Sequence, residues 1–239
     1  MGTAVGVVLA AGLGTRVGAD GNKAYLPLSG RSMLAWSLET LVNLAEVART
    51  VLVFRQGEIE LVRDTVAREL PHAAVDLVEG GATRHASEFN ALQYLAGDIE
   101  TAAVEVIAIH DAARPLAGPD MFRAAISLAR EFGGALPALP AAGLVRSAAT
   151  GPQSVAGLGL PVRVQTPQAF RATDLLQAYR SAERDGFEGT DTASCVQRYT
   201  NVPIHTFPGR AANLKVTYAR DVAVAQHLLM DPPGSADPR

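Results

Sequence analysis

Residues 9–23 read LAAGLGTRVGADGNK, a glycine-rich loop that carries two cations, Arg16 and Lys23. Glycines let backbone N–H groups approach an anion closely, and a following cation neutralises it, so these residue types at this spacing suit a phosphate. Spacing narrows the kind of phosphate loop. Gly12, Gly14 and Gly18 stand as G-x-G-x-x-x-G, one residue longer than the dinucleotide fingerprint, and the next strand ends in Phe54-Arg55 with no acid placed for a ribose. The pair of glycines five apart, followed by Lys and a hydroxyl residue, that marks a Walker A loop is missing. A plain glycine turn with surface charges is the competing reading of this loop taken alone.

Other chemistry-bearing residues are scattered along the chain. Asp111 follows an apolar run, VEVIAI, where an acid is costly unless it finds a partner. Arg114, three residues on, is either that ion-pair partner or a ligand contact. His110 reads as a packed structural histidine without a catalytic role. Arg84 is a ligand contact or a solvated arginine at a helix start. Thr190 or its neighbour Asp191 has the character of a helix N-cap. Lys215 on its own reads as a surface cation, and Cys195 falls within a helix and reads as core.

These residues need a frame that brings them together. The apolar run 5–11 is the pattern of a strand buried on both faces, and the apolar spacing at 32–47 predicts a helix with Ser32 as its N-cap. Strands are expected at 50–54, 74–78, 104–109 and 202–207, and helices at 58–70, 83–95, 121–132, 172–184, 191–199 and 219–229. This alternation predicts an α/β fold, a mostly parallel central sheet with helices on both faces, with ligands beyond the carboxyl ends of the strands. Between 133 and 165 the rhythm fails, and the Gly- and Pro-rich stretch reads as an extended arm, about 135–165. Residues 1–230 form a single domain in this reading, and 231–239 a disordered tail.

Composition bounds the function. The chain has 239 residues, 48% hydrophobic and 19% charged, with 21 basic against 24 acidic residues and a net charge of −3. That balance argues against nucleic acid, whose binding proteins normally show a strongly basic face. No run approaches the roughly 20 apolar residues of a membrane helix, and the start of the chain lacks a signal-peptide pattern. A single cysteine fits a reducing compartment, so the expected location is cytoplasmic.

AAGLGTR followed by NKAYLPL resembles the signature of the sugar-phosphate nucleotidyltransferases, whose fold is a Rossmann-like three-layer sandwich. GGATRHAS at 80–87, HDAARP at 110–115, VQTPQAF at 164–170, GTDTAS at 189–194 and NLKVT at 213–217 are similar, in order, to the 2-C-methyl-D-erythritol 4-phosphate cytidylyltransferases. The resemblance implies attack of an acceptor phosphate on the α-phosphorus of CTP, with release of pyrophosphate. It assigns Arg16, Lys23 and Lys215 to catalysis, and Ala10, Ala11, Gly12, Gly14, Gly81, Arg84, Ser87 and Ala112 to the nucleotide. It assigns Asp111, Arg114 and Thr190 to the acceptor. Mg²⁺ or another divalent cation is implied at the phosphates, with Asp111 its candidate ligand, directly or through water. The arm is implied to make a homodimer.

The arm departs from the family pattern. Ala142 and Gly143 stand where the family usually carries Asp and Thr, and Leu158 stands near the expected arginine; Arg146 and Arg163 are the nearby candidates to replace these contacts. Ala82 stands where an acid is common. The acceptor therefore stays open between methylerythritol phosphate and another polyol phosphate such as ribitol 5-phosphate. A catalytically silent nucleotide-binding paralogue is the third reading, against which the joint presence of Arg16, Lys23, Asp111 and Lys215 speaks.

Overall fold

A computed structural model describes residues 3–12, 14, 21–141, 145–148, 151–154 and 161–230, the two pieces between 145 and 154 by their backbone alone. The first apolar run forms β1 (Thr3–Leu9), flanked by β4 (Val47–Phe54) and β6 (Val104–Asp111), both parallel to it. Two short strands, β2 (Pro27–Leu28) and β3 (Arg31–Ser32), pair as a hairpin before α1 (Met33–Val42). Outside β4 lies β5 (Val75–Glu79), also parallel. Beyond β6 come β11 (Gln168–Arg171), antiparallel to it, then β7 (Gly134–Pro140), with β12 (Ile204–Pro208) parallel on the far edge of β7. A further strand, β10 (Val162–Val164), continues the line of β11 along β7. The sheet is thus mostly parallel, with the β10–β11 line its antiparallel member among the described residues.

Strand alternation sorts the apolar side chains onto two faces. Ala4, Val8, Leu52, Val106 and Ala108 pack with α1, α2 (Ile59–Glu69) and α5 (Pro119–Phe132). Val5, Val7, Val51, Val53, Ile107 and Ile109 pack on the other side with α3 (Arg84–Tyr94), α4 (Ala96–Glu100), α6 (Ala172–Asp185) and α7 (Thr192–Tyr199). This is a three-layer α/β sandwich. A smaller cluster of Leu28, Met33, Val216 and Ala225 joins the β2–β3 hairpin to α8 (Ala219–Met230).

Two boundaries differ from expectation. Ser32 does cap α1, its Oγ accepting from Ala35 N at 3.1 Å, but the helix stops at Val42 and Val47 already starts β4. The helical spacing ran on because Leu44 is buried in the intervening turn. The arm is also shorter than about 135–165, because β7 and β10 belong to the central sheet. Ala135, Leu136 and Ala138 are buried, so β7 reads as a run of small apolar residues and not as an alternating strand. Gly134 is required there, since a Cβ would lie 2.7 Å from the Phe170 ring. The excursion keeps a hairpin of β8 (Val145–Ala148) and β9 (Gly151–Ser154). Ala142, Gly143, Leu158 and the tail 231–239 lie outside the described residues.

Candidate active site

β1 and β6 run side by side with Leu9 opposite Asp111, which places Ala10–Gly12 and Asp111–Ala113 together at the carboxyl ends of the sheet. Ala112 N donates to Leu9 O at 3.0 Å and Ala10 N to Val53 O at 2.8 Å, fixing both strand exits. Beyond them opens a cleft of about 410 Å³. Ala10, Ala11, Gly12, Gly14, Lys23, Gly81, Arg84, Ser87, Asp111, Ala112 and Lys215 all line it. A second hollow of about 410 Å³ lies by Glu39, Arg49, Glu69 and His72, near the amino ends of β4 and β5, away from these residues.

One wall is main chain. Gly80 N donates to Phe54 O at 2.7 Å, and a Cβ on Gly80 would lie 2.6 Å from Ala11 Cβ. Gly81 N donates to Ser87 Oγ at 3.1 Å, while that hydroxyl donates to Thr83 O at 2.8 Å. A Cβ on Gly81 would lie 2.5 Å from Ala86 Cβ, so the turn into α3 closes only with glycine. On the far side Gly14, at φ +66°, lies against Lys23, and Asn22 secures that loop. Asn22 Nδ2 donates to Ala10 O at 2.6 Å and to Glu58 Oε2 at 2.8 Å, and its Oδ1 accepts from Ala24 N at 3.0 Å. Lys23 Nζ donates to Val216 O at 2.8 Å, which joins the first loop to the 213–217 segment.

The other wall is charge. Asp111 ends β6 and is buried, with Arg84 Nε 3.2 Å from Oδ1, Lys215 Nζ 2.7 Å from Oδ2 and Arg114 Nε 4.0 Å from Oδ2. Burial alone would raise its carboxyl; the charge of Arg84, then those of Lys215 and Arg114, hold it well below the usual carboxylate range. Arg84 also reaches Glu88 Oε1 through Nη1 at 2.8 Å. Glu88 is 1% exposed and accepts as well from Tyr179 OH at 2.7 Å and from Thr192 Oγ1. Burial pushes its carboxyl upward, against the pull of Arg84, Thr192 and Tyr179.

Beneath this wall His110 is fully buried against Phe122. Its Nε2 lies 3.2 Å from Arg114 O, a pure acceptor, and its Nδ1 lies 3.0 Å from Thr166 Oγ1, which in turn accepts from Asp111 N at 3.1 Å. That chain fits the neutral tautomer with the proton on Nε2. Burial brings the His110 pKa down to about 4. Arg114 Nη1 donates to Asn213 O at 2.7 Å, and buried Asn213 donates to Thr166 O at 2.9 Å, so the 213–217 segment is fastened along the end of β6.

The model of the family "2-C-methyl-D-erythritol 4-phosphate cytidylyltransferase" matches residues 4–231. The chain belongs to this family. A cytidylyltransferase of that name from Solibacter usitatus is 36% identical, with 95% of each chain covered, and one from Cereibacter sphaeroides is 37% identical, covering 95% of this chain and 97% of the relative. Among solved structures, the Thermus thermophilus cytidylyltransferase is similar at 28% identity and a TM-score of 0.71, over 94% of this chain and 98% of that one. The 4-diphosphocytidyl-2C-methyl-D-erythritol synthase of Anaerococcus prevotii shares the fold at a TM-score of 0.82, with 22% identity over 96% of each chain.

Of the residues that the cytidylyltransferase resemblance singles out, two stand apart from the cleft. Thr190 is exposed and outside the lining, and the N-cap of α7 is Asp191, whose Oδ1 accepts from Ser194 N at 2.9 Å. Arg114 points to Asn213 and sits behind Asp111. Arg16 and Gly18 lie outside the described residues, as does the side chain of Arg146; Arg163 is exposed on β10. Sequence reasoning missed Glu88, Asn22, Asn213 and Thr166. For Glu88 a signal existed, an R-x-x-x-E pair on a helix that is otherwise half apolar.

For a divalent cation, Asp111 is the only carboxylate among the described residues lining the cleft, and they hold no cluster of three or more potential ligands. Mg²⁺ commonly takes one or two carboxylates and fills its shell with water and substrate phosphate oxygens. One carboxylate beside a phosphate-sized, cation-lined cleft fits a metal held in that way.

Proposed function

We propose that this protein transfers CMP from CTP to 2-C-methyl-D-erythritol 4-phosphate, giving 4-diphosphocytidyl-2-C-methyl-D-erythritol and pyrophosphate in non-mevalonate isoprenoid synthesis. The observation that carries the reading is the joining of a main-chain wall and a charged wall, with Arg84 and Lys215 on Asp111 and Lys23 lining the same cleft, in a chain of this family. The main-chain wall takes the nucleoside through Ala10–Gly12, Gly81 and Ser87. Lys23 and, from the loop before it, Arg16 hold the triphosphate.

The acceptor phosphate, with a second pKa of about 6, is already largely ionised near neutral pH and attacks without a general base. Catalysis rests on alignment and on charge placed where it develops at the α-phosphoryl group. Lys215 is set for that work by Asp111, which faces the acceptor side, while Arg114 backs Asp111 from behind and Thr190 stands outside the cleft lining. His110, neutral and buried, supplies structure and no proton transfer. Asp111, together with the substrate phosphates, would hold a divalent cation such as Mg²⁺, which would supply Lewis-acid neutralisation of the phosphate oxygens.

The β8–β9 hairpin and the exposed β10 supply a homodimer contact. No helix among the described residues is long and apolar enough to cross a membrane, which suits a cytoplasmic enzyme.

Pyrophosphate release is measured from CTP and Mg²⁺ with each acceptor in turn. Turnover is expected with methylerythritol phosphate. Turnover with ribitol 5-phosphate alone overturns the acceptor, and CTP binding without turnover on any acceptor overturns the activity. Sedimentation at micromolar concentration is expected to give twice the 25.0 kDa chain mass.

A further inference from the structure

Glu88 lies one helical turn from Arg84, and an exposed pair of that kind adds little stability. Glu88 is instead 1% exposed, in a place where an apolar side chain would fill the same volume. A buried carboxylate there is strongly unfavourable unless donors surround it. Three do, from three helices: Arg84 Nη1 on α3, Tyr179 OH on α6 and Thr192 Oγ1 on α7.

The consequence at the cleft runs through Arg84. Its guanidinium is shared between two carboxylates, Nη1 to Glu88 and Nε to Asp111, while Lys215 takes the other oxygen of Asp111. With Glu88 neutral, Arg84 would lose its anchor and crowd Asp111, at the expense of Lys215. The other consequence lies at Thr192, the first residue of α7. Gly189 N donates to His85 Nδ1 at 3.4 Å, so the 189–192 segment is fastened to α3 at two points, His85 and Glu88.

We propose that Glu88 is a positioning residue, which through Arg84 sets the charge cluster of the cleft and, through Thr192, ties the 189–192 segment to it. This rests on reading the cleft as the cytidylyltransferase site.

A double-mutant cycle tests it. Glu88→Gln is expected to lower kcat/KM about tenfold with Arg84 in place, and to cost nothing further, or to recover part of the loss, when Arg84 is Ala. Equal losses in both backgrounds overturn the proposal, since a purely structural role is indifferent to Arg84. Should Glu88→Gln fail to fold, Tyr179→Phe keeps the carboxylate and removes one donor, and the same cycle applies. Amide hydrogen exchange supplies a readout independent of turnover. In Glu88→Gln exchange at 189–192 is expected to rise severalfold while that of α5 stays unchanged; unchanged exchange at 189–192 overturns the tie. No turnover by the unaltered protein refutes the assigned reaction, whereas unchanged exchange refutes the role of Glu88 whichever reaction the cleft performs.

Discussion

Along Ala10–Gly12 and Gly80–Gly81 the cleft is bounded by main chain, packed so closely at Gly80 and Gly81 that a single added carbon collides, and its polar groups are backbone amides and one serine hydroxyl. Along Asp111, Arg84 and Lys215 it is bounded by long side chains, loosely constrained in volume but tied by charge, with three cations set against the two buried carboxylates Asp111 and Glu88. The first wall is sensitive to size and indifferent to pH. The second is sensitive to charge and leaves a net positive surface for a polyphosphate. A nucleotidyl transfer needs both, since one wall must recognise a flat neutral base and the other must steady developing negative charge.

The largest effects are expected on the charged wall. Asp111→Asn leaves Arg84, Lys215 and Arg114 without their shared anion, and turnover should fall by about 10³-fold. Stability should drop as well, by about 3–5 kcal/mol, because breaking a buried pair strands its partners. Steady-state kinetics and thermal unfolding read the two losses. A loss of activity below about tenfold would mean that Asp111 does not set this wall. Lys23→Ala comes next, with turnover down about 10²–10³-fold and the fold intact, because the loop's shape is fixed through Asn22, which bonds Ala10 O, Glu58 and Ala24 N. Unchanged turnover would remove the first loop's cation from the phosphate site.

The two walls were unequally legible in the sequence. The main-chain wall is local: Gly12 and Gly14 follow directly on the strand that the apolar run at 5–11 announces, so their spacing marks the first loop, while Gly81 was reached through the resemblance of GGATRHAS to the family. The charged wall is assembled from distant segments. Asp111 could be suspected from its place after a buried strand, but Glu88 finds Tyr179 and Thr192 91 and 104 residues downstream, and no local spacing reveals that. Position 88 reads as a surface partner of Arg84 until α6 and α7 cover it. The same reason explains the arm: β7 is a buried strand of small residues, whose membership of the sheet is decided by β11 and β12, both later in the chain.

A proton tests the charged wall without a mutation. His110 has a folded pKa of about 4 against an ordinary value of about 6.5, so below pH 6.5 the unfolded chain takes up a proton that the folded one refuses. Stability therefore falls as pH drops from 6.5 to 4, by about 3 kcal/mol from this group. Asp111, held well below its ordinary range, contributes stability present above its unfolded pKa and lost only at still lower pH. Urea unfolding between pH 7 and pH 4 measures the slope, and His110→Gln should flatten it. A slope that survives the substitution would place the sensitive group elsewhere and detach His110 from the support of Asp111.

The smallest effects separate size from charge within the main-chain wall itself. At Gly80 a Cβ meets Ala11 Cβ at 2.6 Å, Ser87 Oγ at 2.9 Å and Phe54 O at 3.1 Å, and two of these three belong to the framework rather than to a flexible tip. Gly80→Ala should cost about 1–3 kcal/mol, as overpacking does, and loosen CTP binding along with the fold. At Gly12 no described atom lies within 4 Å of the added carbon, so Gly12→Ala should change stability by no more than about 0.5 kcal/mol. Its methyl group would enter the cleft itself, so calorimetric titration should show CTP binding weakened while the melting temperature holds. If both alanines weakened the fold equally, Gly12 would belong to the packing of the loop; if Gly12→Ala left CTP binding untouched, the nucleotide would lie against Gly81 and Ser87 and not across the end of β1.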